Sequence, residues 1–183
     1  DTKATKNYPL HWMLPLFWVF SGLLVTLASV FAKWILVGKK KDGGTARLWS
    51  RSVFADTIWQ AFRLLVGEYF MEMTGGSILF ALWMKLRGSN IELSQGVYVD
   101  SMGALLNPEM VEIERGGSVG KEALLFGHIY DGEGGMIKFG KIEVGEGGFV
   151  GSRAVAMPGV RVETGGCLAS VSLAMKGEIV QSG

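Results

Sequence analysis

The sequence has one cysteine and two histidines among 183 residues, and 19% of its residues are charged. Because Cys167 has no partner within the chain, an intrachain disulfide framework is excluded. No Cys/His cluster has zinc spacing, and neither a Walker-type phosphate loop nor a Ser/His/Asp nucleophile motif occurs. Hydrophobic residues make up 49% of the chain, which excludes a disordered protein. We therefore predict a folded chain with no metal site.

Net charge is also nearly absent, because the formal sum is +1. That sum conceals two unlike parts: residues 1–87 carry a net charge of +6, and residues 88–183 a net charge of −5. All six tryptophans fall in the first part, whereas 20 of the 27 glycines lie from Gly88 onward. Two architectures therefore join near residue 87. No nucleic acid is predicted as a partner.

The first part contains a long stretch without charge. No Asp, Glu, Lys or Arg occurs from Asn7 to Ala32, and the apolar run continues to Val37. About 20 apolar residues suffice to cross a bilayer, and Trp12 and Trp34 lie where interfacial aromatics belong. We predict a transmembrane helix with a basic flank over residues 1–45. The alternatives are a secretory signal peptide, whose cleavage site is not seen, and a buried helix of a soluble core.

Positive charge is concentrated after this segment, at Lys39–Lys41, Arg47 and Arg51. Because the cytoplasmic flank of a membrane helix carries the excess of Lys and Arg, we predict an integral membrane protein whose remaining chain is cytoplasmic.

Residues 46–87 are apolar sequence interrupted by charges. The apolar residues at helical spacing are Ile58, Phe62, Leu65 and Tyr69. This spacing predicts amphipathic helices that lie on the bilayer or pack against the first segment.

Residues 88–183 contain a six-residue repeat of aliphatic residues. Its members are Ile91, Val97, Ile113, Val119, Leu125, Val144, Val150, Ala156, Val162 and Leu168. One inward aliphatic per six residues, with small neighbours and glycine turns, is typical of a β-solenoid whose coils stack on one another. A β-sandwich would alternate with period two instead. We therefore predict a mainly β fold for residues 88–183, preceded by helices.

This repeat resembles that of the hexapeptide-repeat transferases, which implies a left-handed parallel β-helix with about 18 residues per coil. The order of short blocks, among them Arg47-Leu-Trp-Ser, Thr74-Gly-Gly, Asn107-Pro-Glu and Met157-Pro-Gly, is similar to one unit of the carboxy-terminal region of poly-lysine-synthetase-type non-ribosomal peptide synthetases. In that family, membrane helices alternate with three tandem β-helical units. The resemblance implies a fragment of a larger protein, with adenylation and carrier domains as partners, and a homotrimer or tandem pseudo-trimer.

The sequence departs from the family pattern at two positions. Asn107 stands where an acidic residue is expected before the proline, and Arg115 interrupts the usual glycine turn.

A loop of about residues 126–141 is expected to leave the repeat, because Leu125 and Val144 are 19 residues apart and Asp131-Gly132 is a hairpin signal. His128 stands at its root. The resemblance implies that a histidine so placed is a general base, and imidazole suits this role because its pKa lies near neutrality. The alternative is a histidine that only closes the loop with hydrogen bonds.

Three carboxylates complete the predicted site. We expect Asp100 to orient His128 through the other imidazole nitrogen, or else to satisfy turn amides. Asp131 and Glu133 are expected to attract an amino substrate, with solvated loop charge as the alternative.

The resemblance further implies that Gly151, Ala154 and Ser172 lie along the path of a pantetheine arm, although the fold alone also demands small residues there. It implies a membrane-anchored acyl- or aminoacyl-transferase that forms an amide or ester from a thioester carried by phosphopantetheine or coenzyme A. The alternative is a non-catalytic β-helical module that organises trimers or docks a carrier domain at the membrane.

Overall fold

Helices occupy the first part of the chain and short strands most of the second. The computed structural model describes residues 10–66, 68–94, 96–101, 103, 106–132 and 134–182. The helices are α1 Leu10–Leu36, α2 Arg51–Val66, α3 Glu68–Glu72 and α4 Ile78–Leu86. The strands are β1 Thr45–Arg47, β2 Asn90–Ile91, β3 Tyr98–Val99, β4 Val111–Ile113, β5 Ser118–Val119, β6 Leu124–Leu125, β7 His128–Asp131, β8 Met136–Phe139, β9 Ile142–Val144, β10 Phe149–Val150, β11 Val155–Ala156, β12 Arg161–Val162, β13 Cys167–Leu168, β14 Leu173–Ala174 and β15 Ile179–Val180.

Helix α1 contains the apolar segment predicted from the sequence. Within the described residues, Met13–Leu36 is long and apolar enough to cross a membrane, with a mean hydropathy of 2.0. The core helix of a soluble protein would be mostly buried, whereas 11% of this apolar window is buried. Large apolar side chains therefore cover most of the surface of α1.

One stripe of α1 is polar or small and faces the rest of the protein. Gly22, Thr26, Ser29 and Lys33 recur at helical spacing on this stripe. The Phe70 ring of α3 lies so close to Gly22 that a Cβ there would overlap it. Helices α2 and α3 therefore pack along α1.

Helix α2 packs onto α1 through a tryptophan. Trp59 and Arg63 are buried, and the Trp59 Nε1 donates to the Ser29 carbonyl oxygen at 3.3 Å. Ile58 is 44% exposed. The side chains of Leu65 and Tyr69 lie outside the described residues. Trp59 packs onto α1 because α1 presents a polar stripe, to which the indole N–H can donate a hydrogen bond. The exposed Ile58 is compatible with a predicted amphipathic helix that lies on the bilayer.

The short strands form three parallel sheets. Their orders are β15-β12-β9-β4-β2, β13-β10-β5-β3 and β14-β11-β6. From β9 onward, successive strands enter the three sheets in rotation. Paired residues there are 18 apart, as in Phe149 with Cys167 and Val155 with Leu173. The chain after the helices is thus mainly β, with parallel strands stacked at a constant period.

The core between these sheets is aliphatic. Nine of the ten predicted repeat residues are buried, and the exception is Val97. Val99 of β3 is buried instead, and it pairs with Val119 of β5, the neighbouring strand of the sheet. Ile91 and Val99 are eight residues apart rather than six, so the repeat is out of phase at this first turn.

The predicted loop leaves the parallel sheets as an antiparallel hairpin. Strand β7 pairs with β8, and β1 joins the free edge of β8 in a second antiparallel pair. The backbone N–H of Lys141 also donates to Asp42 at 2.9 Å. The segment that follows α1 is therefore held beside the hairpin.

Candidate functional site

His128 is the first residue of β7, at the root of the hairpin. Its Nδ1 forms a hydrogen bond with the side-chain Oδ1 of Asn107, which is buried. Because an amide oxygen can only accept, Nδ1 carries the proton and Nε2 carries the free lone pair. The imidazole is thereby held in the tautomer that can take up a proton at Nε2.

Asn107 is itself held in place by its neighbours. It precedes a short 3-10 turn, Pro108–Met110, and the Met110 N–H donates to the Asn107 carbonyl oxygen at 2.9 Å. A Cβ at Gly127 would lie 2.7 Å from the Cβ atoms of both Asn107 and Met110. Glycine at position 127 thus lets the turn approach the start of β7 closely, and this approach brings Asn107 to His128.

The protein environment lowers the pKa of His128. Burial is the main cause, the nearby Lys40 ammonium adds to it, and the Asp56 carboxylate opposes it. Lys40 and Asp56 form an ion pair of 2.8 Å. His128 is therefore neutral at pH values near 7, as a general base must be.

His128 also lines an open cleft of about 570 Å³, called here the apolar cleft. Its other lining residues are Leu48, Phe126, Ile129, Tyr130, Ile137 and Met157. Strand β7, strand β8 and the residue after β1 supply most of this wall. The His128 side chain thus lines a space large enough for a small molecule.

Asp100 is not the residue that orients His128. Its Oδ2 accepts a hydrogen bond of 3.0 Å from the Tyr98 hydroxyl, which raises the pKa of Tyr98. It lines a separate cavity of about 250 Å³ with Glu72 and Lys121. The prediction failed because the 3-10 turn, whose position is set by packing, brings Asn107 to the imidazole instead.

The two hairpin carboxylates were expected to attract a cationic substrate. Asp131 forms an ion pair of 2.6 Å with Lys138 on the opposite strand. This ion pair weakens the attraction between the Asp131 carboxylate and a cationic substrate. Glu133 lies outside the described residues.

The residues expected along a pantetheine arm lie among the parallel strands. Ala154 is fully buried in the core, so its side chain cannot contact a cofactor. At Gly151 a Cβ would lie 2.7 Å from the carbonyl carbon of Ala169, so the neighbouring backbone fills this position. Ser172 is half-buried, and its hydroxyl donates to the Ala169 carbonyl oxygen. Close packing of the backbone explains the small residues, and no binding role follows for Gly151 or Ala154.

One buried ion pair near the site was not predicted. The Lys33 Nζ of α1 lies 3.4 Å from the Glu109 carboxylate, with 0% and 1% of the two side chains exposed. Lys33 also donates to the Gly38 carbonyl oxygen at 2.9 Å. Because Glu109 belongs to the turn after Asn107, this pair ties α1 to the residue that orients His128. A lone lysine within an apolar helix was the sequence signal for it.

Within the part of the chain that the structure describes, no group of three or more His, Cys, Asp or Glu side chains could hold a metal ion. No protein-family model, no curated protein and no solved structure matches the chain. The chemistry must therefore be argued from the geometry around His128.

Proposed function

We propose that this chain is a membrane-anchored acyl- or aminoacyl-transferase in which His128 is the general base. The observation that carries the proposal is the hydrogen bond from His128 Nδ1 to the buried Asn107, at the wall of the apolar cleft. A histidine that only closed the loop would also form this hydrogen bond, but it would have no reason to line a cleft of about 570 Å³. The lowered pKa of His128 supports the same role.

The reaction is acyl transfer from a thioester to an amine or hydroxyl. His128 Nε2 takes the proton of the acceptor while the acceptor nitrogen or oxygen forms a bond to the thioester carbonyl carbon. The carbon–sulfur bond then breaks, and the imidazolium returns the proton to the leaving thiolate. The products are an amide or ester and a free thiol. Asn107 holds the ring through both proton transfers and so is a positioning residue.

We further propose that the parallel sheets form a left-handed β-helix of the hexapeptide-repeat type. The rotation of strands among three sheets and the spacing of 18 residues between paired positions support this assignment. The six-residue spacing of buried aliphatic residues supports it as well.

In the same proposal α1 spans the bilayer and the strands lie on the cytoplasmic side. The exposed apolar surface of α1 and the basic residues after it support this orientation. The chain would act as one unit of a larger synthetase with adenylation and carrier domains, or as one subunit of a homotrimer, as the resemblance of its repeat suggests.

The test is a thiol-release assay on the full chain in lipid nanodiscs, with S-hexanoyl-N-acetylcysteamine as donor and lysine as acceptor. We expect His128→Gln to lower the rate about 100- to 10,000-fold, the usual contribution of a general base. Asn107→Asp keeps an acceptor for Nδ1 and should retain activity, with its pH profile moved upward because a carboxylate favours imidazolium.

Glu122→Gln is the matched control, since it introduces the same amide side chain at a solvent-exposed position that does not line the apolar cleft. Thiol release and amide product should remain close to those of the unaltered chain. Equal rates for the unaltered chain and His128→Gln, with both folded, would refute the proposal and leave the non-catalytic module as the better explanation.

A further inference from the structure

The described lining of the apolar cleft lacks the acidic residues expected of an enzyme that binds cationic substrates. Among the described residues that line the apolar cleft, none is Asp, Glu, Lys or Arg. Placing an ammonium group against aliphatic side chains would cost its hydration without a partner in return. A second cavity at His128, which Lys40 and Asp56 also line, holds only about 20 Å³ and is too small for a substrate. The part of the substrate that lies in the apolar cleft is therefore apolar.

The apolar surface continues beyond the cleft. Leu48 is shared with a second open hollow of about 390 Å³, called here the outer groove. Its apolar lining is Leu48, Trp49, Val53 and Phe54, and its polar lining is Ser50, Arg51 and Thr57. Trp49 is 95% exposed and Phe54 is 68% exposed. Isolated exposed apolar residues are ordinary, but a contiguous apolar surface that ends at a reactive side chain indicates a binding site.

The hairpin fixes the position of this surface. The Leu48 N–H donates to the Gly135 carbonyl oxygen at 2.9 Å, which ties the residue after β1 to the end of the hairpin. Tyr130 lies on β7 and is 54% exposed. An extended chain that enters from the outer groove would pass Leu48 and reach His128.

We propose that the apolar cleft and the outer groove bind the hydrocarbon chain of the acyl donor, with its thioester carbonyl next to His128. This inference rests on the proposed function, because His128 is what assigns the carbonyl end. The donor is then a thioester of a medium-length or long aliphatic acid. The acceptor then approaches from the open side of the cleft.

The test measures binding separately from turnover. Acetyl, hexanoyl and decanoyl thioesters of N-acetylcysteamine are titrated calorimetrically into the full chain in nanodiscs, with empty nanodiscs subtracted to remove partition into lipid. We expect affinity to rise up to about fourfold for each methylene that the groove buries. Leu48→Ser should flatten this series, whereas Leu173→Ser, at a 55% exposed leucine of β14 in a different sheet, should leave it unchanged.

A flat series with the unaltered chain would overturn the proposal. So would an equal rise in the unaltered chain and in Leu48→Ser, because the hydrocarbon would then bind at a site that Leu48 does not line. A flat series together with oligomers in native mass spectrometry would show that a second copy of the chain covers the cleft, which also overturns it.

The two proposals fail in distinguishable ways. Turnover that depends on His128 but not on acyl length would refute the groove and keep the transferase. Binding that depends on acyl length, retained in His128→Gln and accompanied by no turnover in the unaltered chain, would refute the transferase and keep the hydrocarbon site.

Discussion

The ion pair between Lys33 and Glu109 gives the sharpest test of how α1 is joined to the site. At 3.4 Å and an effective dielectric constant near 20, the attraction of the two charges is about 5 kcal/mol. Much of this offsets the cost of removing both charges from water, so the intact pair stabilises little. Breaking it is different, because the remaining charge stays buried without its partner.

We therefore expect Lys33→Met to destabilise the fold by about 3–5 kcal/mol. For a chain of this length, each kcal/mol lowers the melting temperature by about 2–4 °C, so the expected loss is roughly 10 °C. The double variant Lys33→Met with Glu109→Leu removes both charges and should recover most of that loss. Its remaining deficit should be about 1 kcal/mol, for the hydrogen bond to Gly38.

The assay is thermal unfolding in nanodiscs, followed by tryptophan fluorescence. The control is Glu122→Gln, which removes a solvent-exposed ion pair of 2.7 Å with Arg153 and should change the melting temperature little. The reasoning would be refuted if the double variant were as unstable as Lys33→Met alone, or if Lys33→Met behaved like the control.

Two further predictions concern His128 and the packing of the parallel strands. Burial lowers the pKa of His128 in the folded chain, so the unfolded chain binds more protons than the folded chain below about pH 6.5. The melting temperature should therefore fall on acidification through that range. In His128→Gln this fall should be smaller. A slope identical in both proteins would contradict this. Gly151→Ala should cost about 1–3 kcal/mol in thermal unfolding, because its Cβ overlaps the backbone of Ala169 and Ser170. Gly132→Ala, with open space around it, should be neutral. Equal melting temperatures for these two variants would refute that account.

The repeat was readable from the sequence because every short strand imposes the same local condition on its residues. One aliphatic side chain in six faces inward, so the spacing of Val144, Val150 and Val162 is enough to predict the parallel strands. The phase failed at Val97, because the buried residue there is Val99, eight residues after Ile91. The hairpin root at His128 was also predictable, since the spacing of 19 residues between Leu125 and Val144 breaks the repeat.

The partners of the site were not readable in this way. Asp100 was the expected partner of His128 because a carboxylate suits an imidazole, but a residue type does not say which turn packs against which strand. Asn107 reaches His128 because Gly127 admits the turn, and Glu109 meets Lys33 because α1 packs nearby. Each of these contacts joins segments that are far apart along the chain.

The sequence by itself determined the apolar helix, the basic flank that follows it, the repeat and the histidine at the hairpin root, because each depends on spacing and composition within a short stretch. The tertiary structure alone decided that Asn107 fixes the tautomer of His128, that Asp131 is paired with Lys138, and that the cleft beside the histidine is apolar. The physical reason is that burial and pairing arise from the packing of distant segments, and no local pattern encodes that packing.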